Sequence, residues 1–159
     1  MNITLVTVGK IKEKYFRDAV AEYQKRLSKY CNLDIIEVAD EKTPDKVSAV
    51  VEDQIRQKEA GRILKNIKEN TYCIALAIDG RKQDSVSLAE HMEQLGLSGR
   101  SNVVFVIGGS LGLHDSVLTR ADEKLSFSDM TFPHQLMRVI LIEQIYRCYR
   151  IIHGEPYHK

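Results

Sequence analysis

Several shortages narrow what this chain can be. It has three cysteines, Cys31, Cys73 and Cys148, all far apart and none in a C-x-x-C pair. Cys73 and Cys148 sit inside apolar patterns, so the thiols read as buried and reduced, which suits a cytoplasmic protein. Charge of one sign is also lacking: 23 lysines and arginines stand against 22 aspartates and glutamates, for a net charge of +1. A wholly basic nucleic-acid binder is excluded, although local basic patches are not. No apolar run approaches the roughly 20 residues that cross a bilayer, so no membrane partner is expected. The opening MNITLVTVGK has neither the cationic lead nor the length of a signal peptide. His91 and His114 show no ligand spacing, so no metal is expected. No linker, repeat or low-complexity stretch interrupts the 159 residues, and one domain spanning 1–159 is the natural reading.

What is present alternates. Asn2 to Val8 is rich in β-formers and stops at Gly9, which predicts a strand. Tyr15, Phe16, Ala19, Val20, Tyr23 and Leu27 recur at three- and four-residue spacing, predicting a helix over about 12–29. Further strands are expected at 34–38, 72–78 (stopped by Asp79-Gly80), 103–107 and 123–127. Further helices are expected at about 45–68, at 85–95 with Ser85 as N-cap, at 115–121, and from Pro133 to Ile152. This order predicts an α/β protein with a mostly parallel sheet covered by helices on both faces.

The last helix is unusual. Leu136, Met137, Ile140, Leu141, Ile145, Cys148, Tyr149 and Ile152 form a broad stripe, and Val139, Ile142 and Tyr146 carry it most of the way round. Arg138, Glu143, Arg147 and Arg150 are nearly its only charges. Such a helix needs cover on more than one side. The expectation is a homodimer packed through it; burial of a central helix within one chain is the alternative.

The most telling stretch is Asn102 to Gly112, NVVFVIGGSLG. A buried strand ends in three glycines within five residues, which calls for a sharp turn or a close approach to the backbone. Phosphate binding fits poorly, because the G-x-G-x-x-G spacing and a P-loop lysine are both missing. Gly108 to Gly112 does satisfy the G-x-S-x-G of a serine hydrolase, with Ser110 as nucleophile and Asp129 and His153 following in order. The chain is short for the large sheet that presents such an elbow. A third reading is a loop that binds a small cofactor through exposed backbone groups.

The remaining motifs favour the third reading. IDGR at 78–81, FVIGGSLG at 105–112, LSFSDMTFPHQLMRVILIEQIYR at 125–147 and the ending PYHK at 156–159 together resemble the RlmH family. These are SPOUT-class methyltransferases acting on pseudouridine in large-subunit (23S) ribosomal RNA. The resemblance spans essentially the whole chain. It implies a carboxyl-terminal trefoil knot, S-adenosylmethionine as cofactor, and methylation at N3 of a pseudouridine, with ribosomal RNA in the large subunit or 70S ribosome as partner. It also implies three cofactor loops, which match Leu76, Gly108, and the run Phe127, Ser128, Asp129, Met130, Thr131 and Phe132. Candidates for binding the base or removing its proton are His134 and Arg138, four apart on one helix face, and Tyr157 and His158 in the tail. His153 is a weaker candidate, and no single residue is assigned as the base. A non-catalytic ribosome- or RNA-binding scaffold is the remaining rival. Basic clusters at Lys10, Lys12, Lys14 and Arg17, and at Arg138, Arg147 and Arg150, are candidate RNA contacts or merely solvated faces.

Overall fold

The computed structural model describes residues 1–159. Five strands and five helices alternate: β1 (Asn2–Val8), α1 (Lys14–Leu27), β2 (Asn32–Val38), α2 (Ala49–Leu64), β3 (Tyr72–Lys82), α3 (Ser85–Leu97), β4 (Asn102–Ile107), α4 (Asp115–Arg120), β5 (Glu123–Ser126) and α5 (His134–Ile152). The strands form one sheet in the order β2-β1-β4-β3-β5, and every pairing is parallel.

The topology follows from handedness. The crossovers β1 to β2 and β3 to β4 move one way along the sheet, and α1 and α3 lie with α5 on one face. The crossovers β2 to β3 and β4 to β5 move the other way, and α2 and α4 lie on the opposite face. All four therefore share one hand, the uniformity that strand twist imposes on parallel connections. Alternate strand residues feed the two cores: Ile3, Leu5, Val103 and Phe105 face α1, α3 and α5, while Val6, Val8, Val104 and Val106 face α2 and α4.

At the amino ends of three strands, Asn32, Asn2 and Asn102 form a ladder. The amide of Asn32 donates to Asn2 and that of Asn2 to Asn102, each at 3.0 Å. These residues are paired in register, Asn2 with both Asn32 and Asn102.

Two predicted boundaries move for local reasons. Asp84, not Ser85, caps α3: its carboxylate accepts the Ser87 N–H at 2.7 Å, and Ser85 donates its hydroxyl to Gln144. The third strand does not stop at Asp79-Gly80 but runs to Lys82. Leu76 and Arg81 both pair with Leu125, so residues 77–80 bulge between them. Gly80 permits this, because a Cβ there would lie 2.7–2.8 Å from the backbone of Lys124 and Leu125.

Helix α5 packs between α1 and α3, and none of its residues is fully exposed. Much of the cover predicted to come from a second copy is thus supplied within the chain. A half-buried apolar strip, Leu136, Val139 and Ile140, remains on the outer side. No helix is long and apolar enough to cross a membrane.

All three cysteines are free and buried. Burial pushes the Cys73 thiol up to about 11 and the Cys148 thiol up to about 12, and raises that of Cys31. The reactive thiolate is correspondingly scarce. Ellman's reagent at neutral pH is expected to leave all three unmodified in the native protein and to titrate all three in guanidinium; fast labelling of the folded chain would contradict this packing.

Candidate functional site

The carboxyl ends of β3, β4 and β5 enclose a cavity of about 700 Å³. Strand ends of a parallel sheet are the usual place for a ligand, since the connecting loops diverge there. Three walls form it. The first is the bulge after Leu76, with Ala77 and Ile78. The second is the glycine turn, Gly108 to Leu113. The third is the β5–α5 loop, where Phe127, Ser128, Met130, Thr131 and Phe132 lead to Pro133, His134 and Met137.

The glycine turn is shaped by contacts that only glycine allows. A Cβ on Gly108 would lie 2.8 Å from the carbonyl carbon of Gly112. The turn doubles back on itself, with the Gly112 N–H donating to the Gly109 carbonyl at 3.1 Å, and Gly112 has φ +82. Gly109 lies over Val8 and the carboxylate of Glu59, which a Cβ would approach at 3.2–3.4 Å. Glu59 sits on α2, is buried, and accepts the Glu41 N–H at 3.0 Å. Burial raises its pKa. Nothing in the α2 sequence distinguishes this glutamate from its solvated neighbours, and sequence reasoning missed it.

The β5–α5 loop is held by its own serines. The Ser126 hydroxyl donates to the Ser128 carbonyl, and the Met130 N–H donates to the Ser128 hydroxyl at 3.0 Å. Asp129 turns away from the cavity to an exposed ion pair with Lys82. Met130 and Phe132 leave apolar surface exposed at the rim, Met130 at 74%.

His134 lines the cavity and is half-buried. Burial lowers its pKa, and the Arg138 charge lowers it further, so the imidazole is neutral at pH 7 and able to accept a proton. Arg138 does not join it in the cavity. It is 1% exposed. Its guanidinium donates to Glu37 at 2.7 Å, to the Val8 carbonyl at 2.8 Å and to the Gly9 carbonyl at 2.7 Å. The expectation that Arg138 could touch a substrate is corrected: four-residue spacing put it near His134, but the donors point under the sheet edge. It fastens α5 to the end of β1.

The tail candidates form a separate cluster. The Tyr157 hydroxyl donates to Glu143 at 3.0 Å, Arg147 donates to the same carboxylate at 2.6 Å, and the Arg147 guanidinium lies 4.7 Å from the centre of the Tyr157 ring. Arg147 also donates to Nδ1 of His158 at 3.2 Å. Burial and the neighbouring Glu143 carboxylate raise the Tyr157 pKa, which makes the phenol a hydrogen-bond donor rather than a base at neutral pH. The tail is strapped down by Arg150, which donates to Glu155, to Tyr30 and to the Pro156 carbonyl. Arg147 was expected only as a possible RNA contact, and Glu143, Tyr30 and Glu155 were not among the predicted site residues. The signal available was the isolation of Glu143 and Arg147, four apart on an otherwise apolar helix.

Thirteen residues separate His134 from Arg147 along α5, about 20 Å at the helical rise. Along α5, His134 of the cavity and Arg147 of the tail cluster are therefore well separated. The hydrolase reading fails on the same geometry. Ser110 is exposed on the glycine turn, Asp129 pairs with Lys82, and the His153 ring is bound to the Tyr149 carbonyl at the far end of α5.

The five-stranded parallel sheet with its glycine-lined cavity at the carboxyl edge is that of a SPOUT-class methyltransferase by its match to known proteins. The family model "Predicted SPOUT methyltransferase" matches residues 1–158, and the chain belongs to that family. Within it, the chain is 61% identical to ribosomal RNA large subunit methyltransferase H of Bifidobacterium adolescentis and 60% identical to the protein of the same name from Clostridium tetani, in both cases over the full length of each chain. It thus belongs with the ribosomal RNA large subunit methyltransferase H proteins. A methylase family protein from Haemophilus influenzae has a similar fold, with TM-score 0.54 and 13% identity, over 99% of this chain and 70% of that one.

If Arg138 fastens the last helix, removing it strands the Glu37 carboxylate and two carbonyls. Glu37 keeps some solvent contact, so the cost is at the lower end for a broken buried pair, about 3 kcal/mol. Urea unfolding of Arg138→Met should show this loss; a change near zero would refute the clamp.

Proposed function

We propose that the chain transfers a methyl group from S-adenosylmethionine to N3 of a pseudouridine in large-subunit ribosomal RNA, acting on the assembled ribosome as a homodimer. The observation that carries the reading is the cavity walled by Leu76, the Gly108 turn and the Phe127–Phe132 loop. The names of its full-length relatives supply the RNA substrate.

The residues present fit the cofactor. Apolar side chains on two walls suit an adenine ring, and the backbone at Gly108 is bare enough to meet its polar edge. When bound, S-adenosylmethionine supplies an electrophilic methyl group. The protein's own contribution is positioning and exclusion of water around the target nitrogen. The imide nitrogen must shed its proton, and on this reading His134 at the cavity wall receives it.

The tail enters from a second copy on this reading. Arg147, which binds Tyr157 and His158, lies about 20 Å along α5 from His134 of its own chain. An antiparallel pairing of two α5 helices through Leu136, Val139 and Ile140 would bring each tail over the other cavity. A trefoil knot is part of the same proposal. The β4–β5 crossover skips over β3, and α5 then returns between α1 and α3, the path such threading requires.

Calorimetric titration should give one S-adenosylmethionine per chain with micromolar affinity. Gly108→Ala, with its circular dichroism unchanged, should weaken binding by at least about tenfold, because the new methyl group meets the turn's own backbone. No binding by the wild type would overturn the proposal.

The pH dependence has a definite sign. His134 is needed neutral and its pKa is lowered, so kcat should hold through neutral pH. It should fall by roughly tenfold per unit only below the ordinary imidazole range near 6.5. A fall beginning above pH 7 and retained in His134→Gln would exclude His134 as the acceptor.

A further inference from the structure

The loop between β1 and α1, Gly9 to Glu13, carries exposed side chains at Lys10, Lys12 and Glu13 yet is held at the backbone of Gly9, Ile11 and Lys12. Gly9 has φ +83; its N–H donates to the Val38 carbonyl at 2.8 Å and its carbonyl accepts from Arg138. The Ile11 N–H donates to Glu37 at 3.0 Å, and the Lys12 N–H donates to the side chain of Gln135 at 3.2 Å. The carbonyls of Ile11 and Lys12 both accept from Arg17, at 3.3 and 2.9 Å. Side chains from β2, α5 and α1 thus converge on Gly9, Ile11 and Lys12, on either side of Lys10. Ile11 also packs against the core, while Lys10, Lys12 and Glu13 stand in solvent.

These bonds also sort the basic cluster. Arg17 is occupied by the loop's carbonyls, and Lys14 pairs with Asp18 at 2.7 Å. Lys10 and Lys12 are left with no ion pair. Glu37, the acid nearest the loop backbone, is itself paired with Arg138; Glu13 follows in sequence and Asp40 lies against Gly9. The loop's place is also specific. Gln135, which holds Lys12, follows the cavity residue His134, and Val8, which leads into Gly9, packs under Gly109 of the glycine turn. Two free ammonium groups therefore stand on a rigid support along the same sheet edge as the cavity.

We infer that Lys10 and Lys12 form a pre-ordered phosphate-contact surface that seats the ribosomal RNA backbone beside the methyl-transfer cavity. The inference rests on the RNA methyltransferase reading and adds to it the surface that engages the substrate. A chain of net charge +1 exerts little long-range attraction on a polyanion, so local contacts must place it. Phosphate contacts set register and orientation without reading sequence. A loop already fixed loses little further freedom on binding.

The test uses the full-length chain with Lys10→Gln/Lys12→Gln, and Lys65→Gln/Lys68→Gln at the opposite end of the sheet as control. Ribosome methylation is followed between about 50 and 200 mM salt. The loop variant should raise KM for ribosomes about tenfold, keep kcat and S-adenosylmethionine affinity near wild type, and lower the slope of log KM against log salt by about 1.5. The control pair should change none of these. Unchanged KM and slope would overturn the inference. So would an equal effect from the control pair, which would mean only diffuse charge. A higher KM with an unaltered slope would assign the loop to a ribosomal protein instead, and weaker cofactor binding would move the lysines into the cavity. Wild-type protein that binds S-adenosylmethionine but methylates no ribosomes would remove the underlying reading, and the inference with it.

Discussion

The structure depends on one buried guanidinium. Arg138 lies four residues beyond the cavity histidine on α5, yet it reaches the carbonyls of Val8 and Gly9 at the end of β1 and Glu37 on β2. Three parts of the chain, more than 100 residues apart in sequence in two of the three pairs, are thereby fixed to one atom group. The charge is held so deeply by three hydrogen bonds from its two terminal nitrogens, one of them to a carboxylate, while the buried Nε has no partner. The same charge lies close enough to His134 to disfavour its protonation. One interaction thus sets the angle of α5, anchors the loop after β1 and biases the ionisation of a cavity residue.

At Gly80 and Gly108 the cavity is a consequence of backbone meeting backbone, and at Gly109 of backbone meeting the side chains of Val8 and Glu59. Gly80 lets β3 close on β5, Gly108 lets its turn close on Gly112, and Gly109 lets that turn rest on α2 and β1. Each glycine removes volume at a contact and leaves the space between contacts open. The walls are rigid for the same reason: a main chain in van der Waals contact with another main chain has no side-chain rotamer through which to yield.

Much of this was legible in the sequence. The alternating periodicities defined all ten elements, and the glycine cluster marked the ligand edge, because both are local signals with steric causes. The family motifs selected Leu76, Gly108 and the Phe127–Phe132 run, and all but Asp129 line the cavity. What escaped were relations between distant residues. His134 and Arg138 share a helix face, but spacing does not tell how far a long side chain reaches or into what. Glu59 looks like any solvated helical glutamate until α2 is laid under Gly109. Asp79-Gly80 reads as a strand terminator because the compensating partner, β5, is more than forty residues later. The apolar circumference of α5 did not tell how much of its cover comes from α1 and α3 inside the chain and how much is left to a second copy.

The asparagine ladder at the opposite end of the sheet has a bearing on the site as well. Parallel strands can slip past one another in steps of about 3.3 Å, and aliphatic residues such as Val and Ile discriminate poorly between adjacent registers of like residues. The row Asn32–Asn2–Asn102 closes only when the three strands start level. With six or seven residues in each strand, starting level means ending level. The heights of Gly9 and Gly108 at the ligand edge are therefore set by amides at the far end of the sheet, and the ladder serves as the datum from which the site is measured.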